Sequence, residues 1–130
     1  MAKGEIAKTI VNYLGFETIG KTGKRRKHPF VIRGNGLLTI TDKYVSFHRL
    51  FPKKDYMIPL LTIFDVSIKN IHNLTLSLDP VLKISFEEEK GRKIVLGLLV
   101  NTNKDAEDLK EKILSNIKGL EDENQVKIIK

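Results

Sequence analysis

Residues 34–59 read GNGLLTITDKYVSFHRLFPKKDYMIP, and this stretch decides the fold. Leu38 and Ile40 alternate with Thr39 and Thr41, and Val45 and Phe47 alternate with Tyr44, Ser46 and His48. A period of two specifies strands with one face buried. Asn35-Gly36 favours a tight hairpin turn, Asp42-Lys43 supplies a second turn, and Pro59 closes a third strand over residues 56–58.

The same period continues downstream. Phe64, Val66 and Ile68 alternate with Asp65, Ser67 and Lys69, and Leu82, Ile84 and Phe86 alternate with Lys83, Ser85 and Glu87. Between them residues 70–80 are irregular, with Leu74, Leu76 and Leu78 offering a short strand. Residues 94–100 are apolar on both faces, as in a strand covered on its outer side as well. The expected cover is a closing helix over residues 103–118. Thr102 or Asn103 starts it, Asp105, Glu107 and Asp108 suit its positive end, and Gly119 stops it. Ala106, Leu109, Ile113 and Ile117 form its apolar stripe. Residues 121–130 read as a polar tail. No helical pattern separates the strands, so the sheet is antiparallel.

Upstream, residues 4–14 place Ile6, Ile10, Val11 and Leu14 at helical spacing with Gly15 at a C-cap position, and this predicts a short amphipathic helix. Residues 15–22, GFETIGKT, match the phosphate-binding pattern GxxxxGK[ST] at every fixed position. The pattern binds phosphate only between a strand and a helix N-terminus. A helix starting here would have to cross Gly23, a run of basic residues and Pro29, which argues against that reading. Residues 21–28, KTGKRRKH, form a basic loop without an acid or an aromatic residue. Residues 30–33 follow as a candidate strand. The expected organisation is therefore an N-terminal helix and connection over 1–20, a domain over 21–120 and a tail over 121–130.

The chain of 130 residues suits one domain with a single core. No apolar run is long enough to span a membrane, and the first residues lack a signal-peptide pattern. With zero cysteines there are no disulfides and no thiolate ligands, which fits a reducing, cytoplasmic setting. The net charge of +7 is uneven. From 21 to 55 there are ten Lys or Arg against Asp42 and Asp55, about +8, whereas the remainder carries 13 basic and 14 acidic residues. One region therefore holds the positive excess, which points to an anionic partner.

Residues 34–117 resemble a pleckstrin-homology-like domain of the GRAM type. The resemblance rests on Gly36-Leu37-Leu38-Thr39-Ile40-Thr41, Val45-Ser46-Phe47 and Met57-Ile58-Pro59-Leu60 with Ile63 and Val66 following. The chain is also similar to small prokaryotic proteins of this fold that share Gly34-Asn35-Gly36 and Phe51-Pro52-Lys53-Lys54. The resemblance implies a mainly β domain with capping α structure: a seven-stranded antiparallel barrel or sandwich closed by a C-terminal helix. In lipid-binding members, basic residues on the first strands and their loop form the phosphate pocket. Lys24, Arg25, Arg26, Lys27 and Arg33 sit near that place here, but no spaced Lys-x-Arg pattern crosses two strands. General attraction to anionic lipid is expected over recognition of one headgroup.

These features predict a non-enzymatic module that docks on an anionic membrane surface, peripheral on the inner face. Lys24, Arg25, Arg26, Lys27, Arg33, Arg49, Lys53 and Lys54 are the candidate anion-binding residues, and Leu50 and Phe51 the candidate membrane contacts. The alternative is a protein-interaction or self-assembly module using a free sheet edge. Nucleic-acid binding lacks a recognition helix or an aromatic platform. No catalytic residue, metal site or cofactor is predicted, because His28, His48 and His72 are scattered without HxH or HExxH spacing. Glu87, Glu88 and Glu89 read as a solvated turn. Asn73-Leu74-Thr75 matches a glycosylation sequon that is idle in a cytoplasmic protein.

Overall fold

The computed structural model describes residues 5–28, 34–50, 52–73 and 75–129. The chain runs β1 (Glu5–Ile19), β2 (Arg25–Arg26), β3 (Gly34–Thr41), β4 (Tyr44–Arg49), β5 (Lys54–Pro59), a 3-10 turn (Leu60–Thr62), β6 (Ile63–His72), β7 (Thr75–Glu87), β8 (Lys93–Leu99) and α1 (Asn103–Ile129). All pairings are antiparallel, in the order β5-β4-β3-β1-β8-β7-β6, with β2 on the end of β1. The architecture is thus mainly antiparallel β with one C-terminal helix. The two edges, β5 and β6, are consecutive in the chain, and every long strand contributes to one apolar cluster. The sheet therefore curls around a shared core. At Gly36 the next strand comes close, because a Cβ there would stand 2.5 Å from the Phe47 ring and 2.7 Å from the His48 carbonyl oxygen.

The helix expected over residues 4–14 is instead the first two-thirds of β1. Val11 and Tyr13 are buried while Ile10 points to solvent, which is strand alternation and not a helical stripe. The β-branched run Thr9-Ile10-Val11 suits an extended backbone, and pairing with both β3 and β8 outweighs the helical spacing. β1 also settles the phosphate-loop pattern. Its residues run along a strand, turn at Gly20–Lys24 and return antiparallel as β2, so no helix N-terminus follows.

α1 buries the expected stripe of Ala106, Leu109, Ile113 and Ile117, and the Thr102 hydroxyl caps it by accepting from the Asp105 N–H at 3.1 Å. It does not stop at Gly119 but continues to Ile129 through the residues expected as a tail. Leu120 packs on the core, so one glycine costing about 1 kcal/mol is tolerated. The helix joins the core cluster with Leu82, Leu96 and Leu98. The opposite face of β8 is covered by the tip of the β6–β7 hairpin, where His72 lies against Gly97. Residues 75–80, where an irregular segment offered a short strand at Leu76 and Leu78, belong to β7 and pair back through Ile71↔Leu76 and His72↔Thr75. The candidate strand over 30–33 lies outside the described residues.

Candidate functional site

The site begins with a bulge. Tyr13 pairs with Leu98 and Phe16 with Leu96, so β1 spends three steps where β8 spends two, and Gly15 takes the left-handed φ of 87° that this needs. In a plain strand Glu17 would share the core face with Tyr13. The extra residue reverses the phase and turns Glu17 to the opposite face, in one cross-strand row with Val95 and Ser85.

There Glu17 is fully buried among cations. Lys27 Nζ donates to Oε2 at 2.7 Å, Lys83 Nζ lies 3.0 Å from Oε1, and Arg25 Nη1 lies 3.5 Å from Oε1. The backbone N–H of Asn73 donates to Oε2 at 3.0 Å. Burial pushes the Glu17 carboxyl up, but the donors Lys27, Asn73 and Lys83, with His72 beside them, hold it at about 2. Lys83 also donates to the Ile71 carbonyl at 3.2 Å. Burial lowers its pKa against the pull of Glu17.

His72 sits over Gly97 with its Nε2 3.0 Å from the Gly15 carbonyl. A carbonyl can only accept, so Nε2 carries the proton. Nδ1 is then bare, 3.7 Å from Glu17 Oε1 and without a hydrogen-bond partner. Asn73, at φ 52°, bridges to the basic loop: its side-chain oxygen accepts from the His28 N–H and its amide donates to the His28 carbonyl. The same burial leaves the sequon asparagine unavailable to a glycan. Glu17, His72, Asn73 and Lys83 are buried while Arg25 and Lys27 keep more than a third of their side chains in water, and what the cluster does is clamp the β6–β7 hairpin tip and the basic loop onto β1.

The clamp makes stability depend on acid. Burial drives His72 from 6.5 to about 4, although Glu17 pulls it upward. The unfolded chain binds the extra proton between those values, so stability is lost as pH falls from 6.5 towards 4. Glu17, lowered from 4.5 to about 2, adds a second loss across that lower window. Thermal melts at pH 7.5, 5.5 and 4 should give falling midpoints, and His72→Gln should flatten the first step only. A midpoint independent of pH down to 4 refutes this.

Outside the clamp, an open groove of ≈ 610 Å³ is lined by Thr18, Ile19, Gly20, Lys24, Arg25, Arg26, His28 and Arg92, with no carboxylate among them. Arg92 is held by a two-pronged pair with Glu88 at 2.9 and 3.2 Å. Lys24 and Arg26 have no ion-pair partner among the described residues. His28 stacks on Phe16 at 4.6 Å between centroids and meets the Thr18 hydroxyl at 3.2 Å. Lys54 Nζ lies 6.0 Å from the Phe16 ring on its way to Tyr56, which brings the β4–β5 loop to the same end of the molecule.

Of the residues expected to bind anions, Lys24, Arg25 and Arg26 line this groove, Lys27 borders it on Glu17, and Lys53 and Lys54 lie at the same end. Arg49 departs from the expectation. It turns inward, buried, with its Nε donating to the Pro52 carbonyl at 2.7 Å and its guanidinium 5.3 Å from the Tyr13 ring centroid. The part-buried Tyr13–Tyr56 hydroxyl pair beside it, 2.7 Å apart, gives the cation an aromatic, hydrogen-bonded niche. Leu50 projects into solvent, 82% exposed. Arg33 and Phe51 lie outside the described residues. His48 is exposed and bonds Asp55 across the strands. Arg92, Glu17, His72, Asn73 and Lys83 were not expected at the site. The one sequence signal was Gly97, a glycine inside an otherwise apolar strand, which marks a close approach.

Among the described residues no group of three His, Asp or Glu side chains is placed to hold a metal ion, and no helix is long and apolar enough to cross a membrane. No protein-family model matches the chain, and no curated protein does. Among solved structures, a chain from work on SsgB and longitudinal cell division during sporulation of Streptomyces coelicolor matches at 11% identity. The match covers 92% of this chain and 93% of that one at a TM-score of 0.33, an overlap too loose to carry fold or function across.

Proposed function

We propose that the chain is a non-enzymatic, pleckstrin-homology-like binding module that docks on an anionic membrane surface through its basic end. The observation that carries this reading is the groove between β1, β2 and the β7–β8 turn: its lining includes four Lys or Arg side chains and no carboxylate, and two of those cations have no ion-pair partner among the described residues. An unpaired cation beside a paired one is a site that an external anion can complete. The groove is open, which suits a surface of headgroups better than a single enclosed ligand. Lys53, its side chain 76% exposed, and Lys54 extend the same positive end.

Each cation close to an anionic bilayer contributes on the order of 1 kcal/mol. Reversing both Lys24→Glu and Arg26→Glu should therefore weaken partitioning into phosphatidylserine-containing vesicles by about thirtyfold or more. Both side chains are exposed, so the melting midpoint should hold. Sedimentation at two salt concentrations reads the effect, and wild-type binding should fall steeply with salt. Equal recovery of the wild type with neutral and anionic vesicles at low salt would sink the proposal.

A further inference from the structure

The tip of the β6–β7 hairpin carries three large apolar side chains in water. Ile71 is 54% exposed, Leu76 79% and Leu78 fully exposed at 102%. Single exposed apolar residues are ordinary, but three within one hairpin tip form a patch that needs a reason. Their presentation is built into the fold. Ile71 pairs with Leu76 across the hairpin, and alternation turns both away from the face on which His72 meets Gly97. Between the pairs Lys69↔Val81 and Ile71↔Leu76, β7 spends five steps where β6 spends two, so the unpaired residues 77–80 form a bulge that carries Leu78 and Asp79 outward while Pro80 stays buried.

The patch is also fixed against collapse. His72 on the Gly15 carbonyl, Asn73 on Glu17 and Lys83 on the Ile71 carbonyl pin the tip's inner side to β1 and β7. What lies next to it decides the occupant. Asn73 is bonded to both backbone groups of His28, so the apolar tip adjoins the loop carrying Lys24, Arg25, Arg26 and Lys27. Lys69 adds a further exposed cation, against the single acid Asp79. Apolar side chains beside a cluster of cations match the two layers of an anionic bilayer, acyl boundary and headgroups.

We propose that the β6–β7 hairpin tip, through Ile71, Leu76 and Leu78, inserts into the interfacial layer of an anionic membrane while the adjoining basic loop engages the headgroups. This rests on the docking reading above and adds to it the inserted element, distinct from Leu50 on the β4–β5 loop.

The absence of cysteine allows a direct test. Single Leu78→Cys, Leu50→Cys and Ser115→Cys variants are each labelled with an environment-sensitive nitrobenzoxadiazole dye and titrated with phosphatidylcholine–phosphatidylserine vesicles. The label at 78 should shift to the blue, brighten at least about twofold and be quenched by spin-labelled lipid, while the label at 115 on α1 stays unchanged. In sedimentation, Leu76→Asp with Leu78→Asp should bind at least about tenfold more weakly than wild type at physiological salt and keep its salt-dependent binding at low salt. Wild-type protein that ignores anionic vesicles overturns the docking reading and this one together. Wild-type binding with an unresponsive label at 78, or with the double variant bound as tightly as wild type, overturns insertion alone, as does a response confined to position 50. A label at 78 that shifts with protein concentration in the absence of lipid assigns the patch to self-association and likewise overturns it.

Discussion

Replacing Glu17 by glutamine should lower the melting midpoint by roughly 10 °C, corresponding to a loss of about 3 kcal/mol in a domain of this size. Glu17 faces Lys27, Lys83 and Arg25, but the three partners do not count equally. Arg25 and Lys27 are more than a third exposed, at 36% and 37%, and can turn to water when the carboxylate is lost. Their share is that of surface pairs, less than about 1 kcal/mol each. Lys83 is 2% exposed and has no such exit. With glutamine at 17 its charge stays buried with neutral acceptors only, the Ile71 carbonyl and the new amide oxygen, and that uncompensated cation sets the magnitude.

Two comparisons isolate this cause. Lys27→Ala should cost less than about 1 kcal/mol, and Glu17→Gln combined with Lys83→Met should recover a large part of the loss, because removing both partners leaves no buried charge. Hydrogen exchange at the Asn73 amide, which Glu17 accepts, should quicken in Glu17→Gln. A Glu17→Gln protein that melts with wild type, or a double variant no better than the single, would show that the cluster is not held by this ion pair.

The sheet and its closing helix were legible because their signals are local. Period-two alternation from Leu38 through Phe86 and the 106–109–113–117 stripe each depend on neighbours a few residues apart. The basic groove was half legible: a charge run shows where cations lie in sequence, and Lys24 to Arg26 do line it. Arg92 joins only because the β7–β8 turn folds beside β2, and Arg49 leaves because the Tyr13 ring gives it an inner partner. Nothing in the composition of residues 49–54 separates a solvated arginine from one buried on an aromatic ring. The clamp was hidden for a different reason. Counting by twos from Tyr13 places Glu17 in the core, and one extra residue at Leu14-Gly15 sends it to the other face. A bulge reverses every assignment beyond it, so β1 showed neither a clean strand period nor a plausible place for its acid, and the spacing of Ile6, Ile10 and Leu14 offered a helix instead.

Gly97→Ala should cost about 2–4 kcal/mol, an effect out of proportion to one methyl group. A Cβ built at 97 stands 2.2 Å from His72 Cδ2 and 2.4 Å from both Cγ and Nε2, more than 1 Å inside ordinary contact. The ring has no slack to yield, since Nε2 is tied to the Gly15 carbonyl and the next residue, Asn73, is tied to Glu17 and His28. Overpacking of this kind costs about 1–3 kcal/mol, and breaking the buried hydrogen bond adds about 1 kcal/mol. The cause is separable from general strain in β8. His72→Ala empties the space that the new methyl needs, so Gly97→Ala in that background should cost at least about 1 kcal/mol less than in wild type. Displacement of the ring into water should also return its titration towards the ordinary imidazole range near 6.5, so the acid loss of stability between 6.5 and 4 flattens in Gly97→Ala. The tip would then no longer be pinned beside the basic loop, and under the proposed docking on anionic membranes vesicle partitioning at physiological salt should weaken with it while low-salt binding through Lys24 and Arg26 persists. An alanine at 97 that costs the same with or without the His72 ring would place the strain within β8 and remove the clamp from the account of how the hairpin tip is presented.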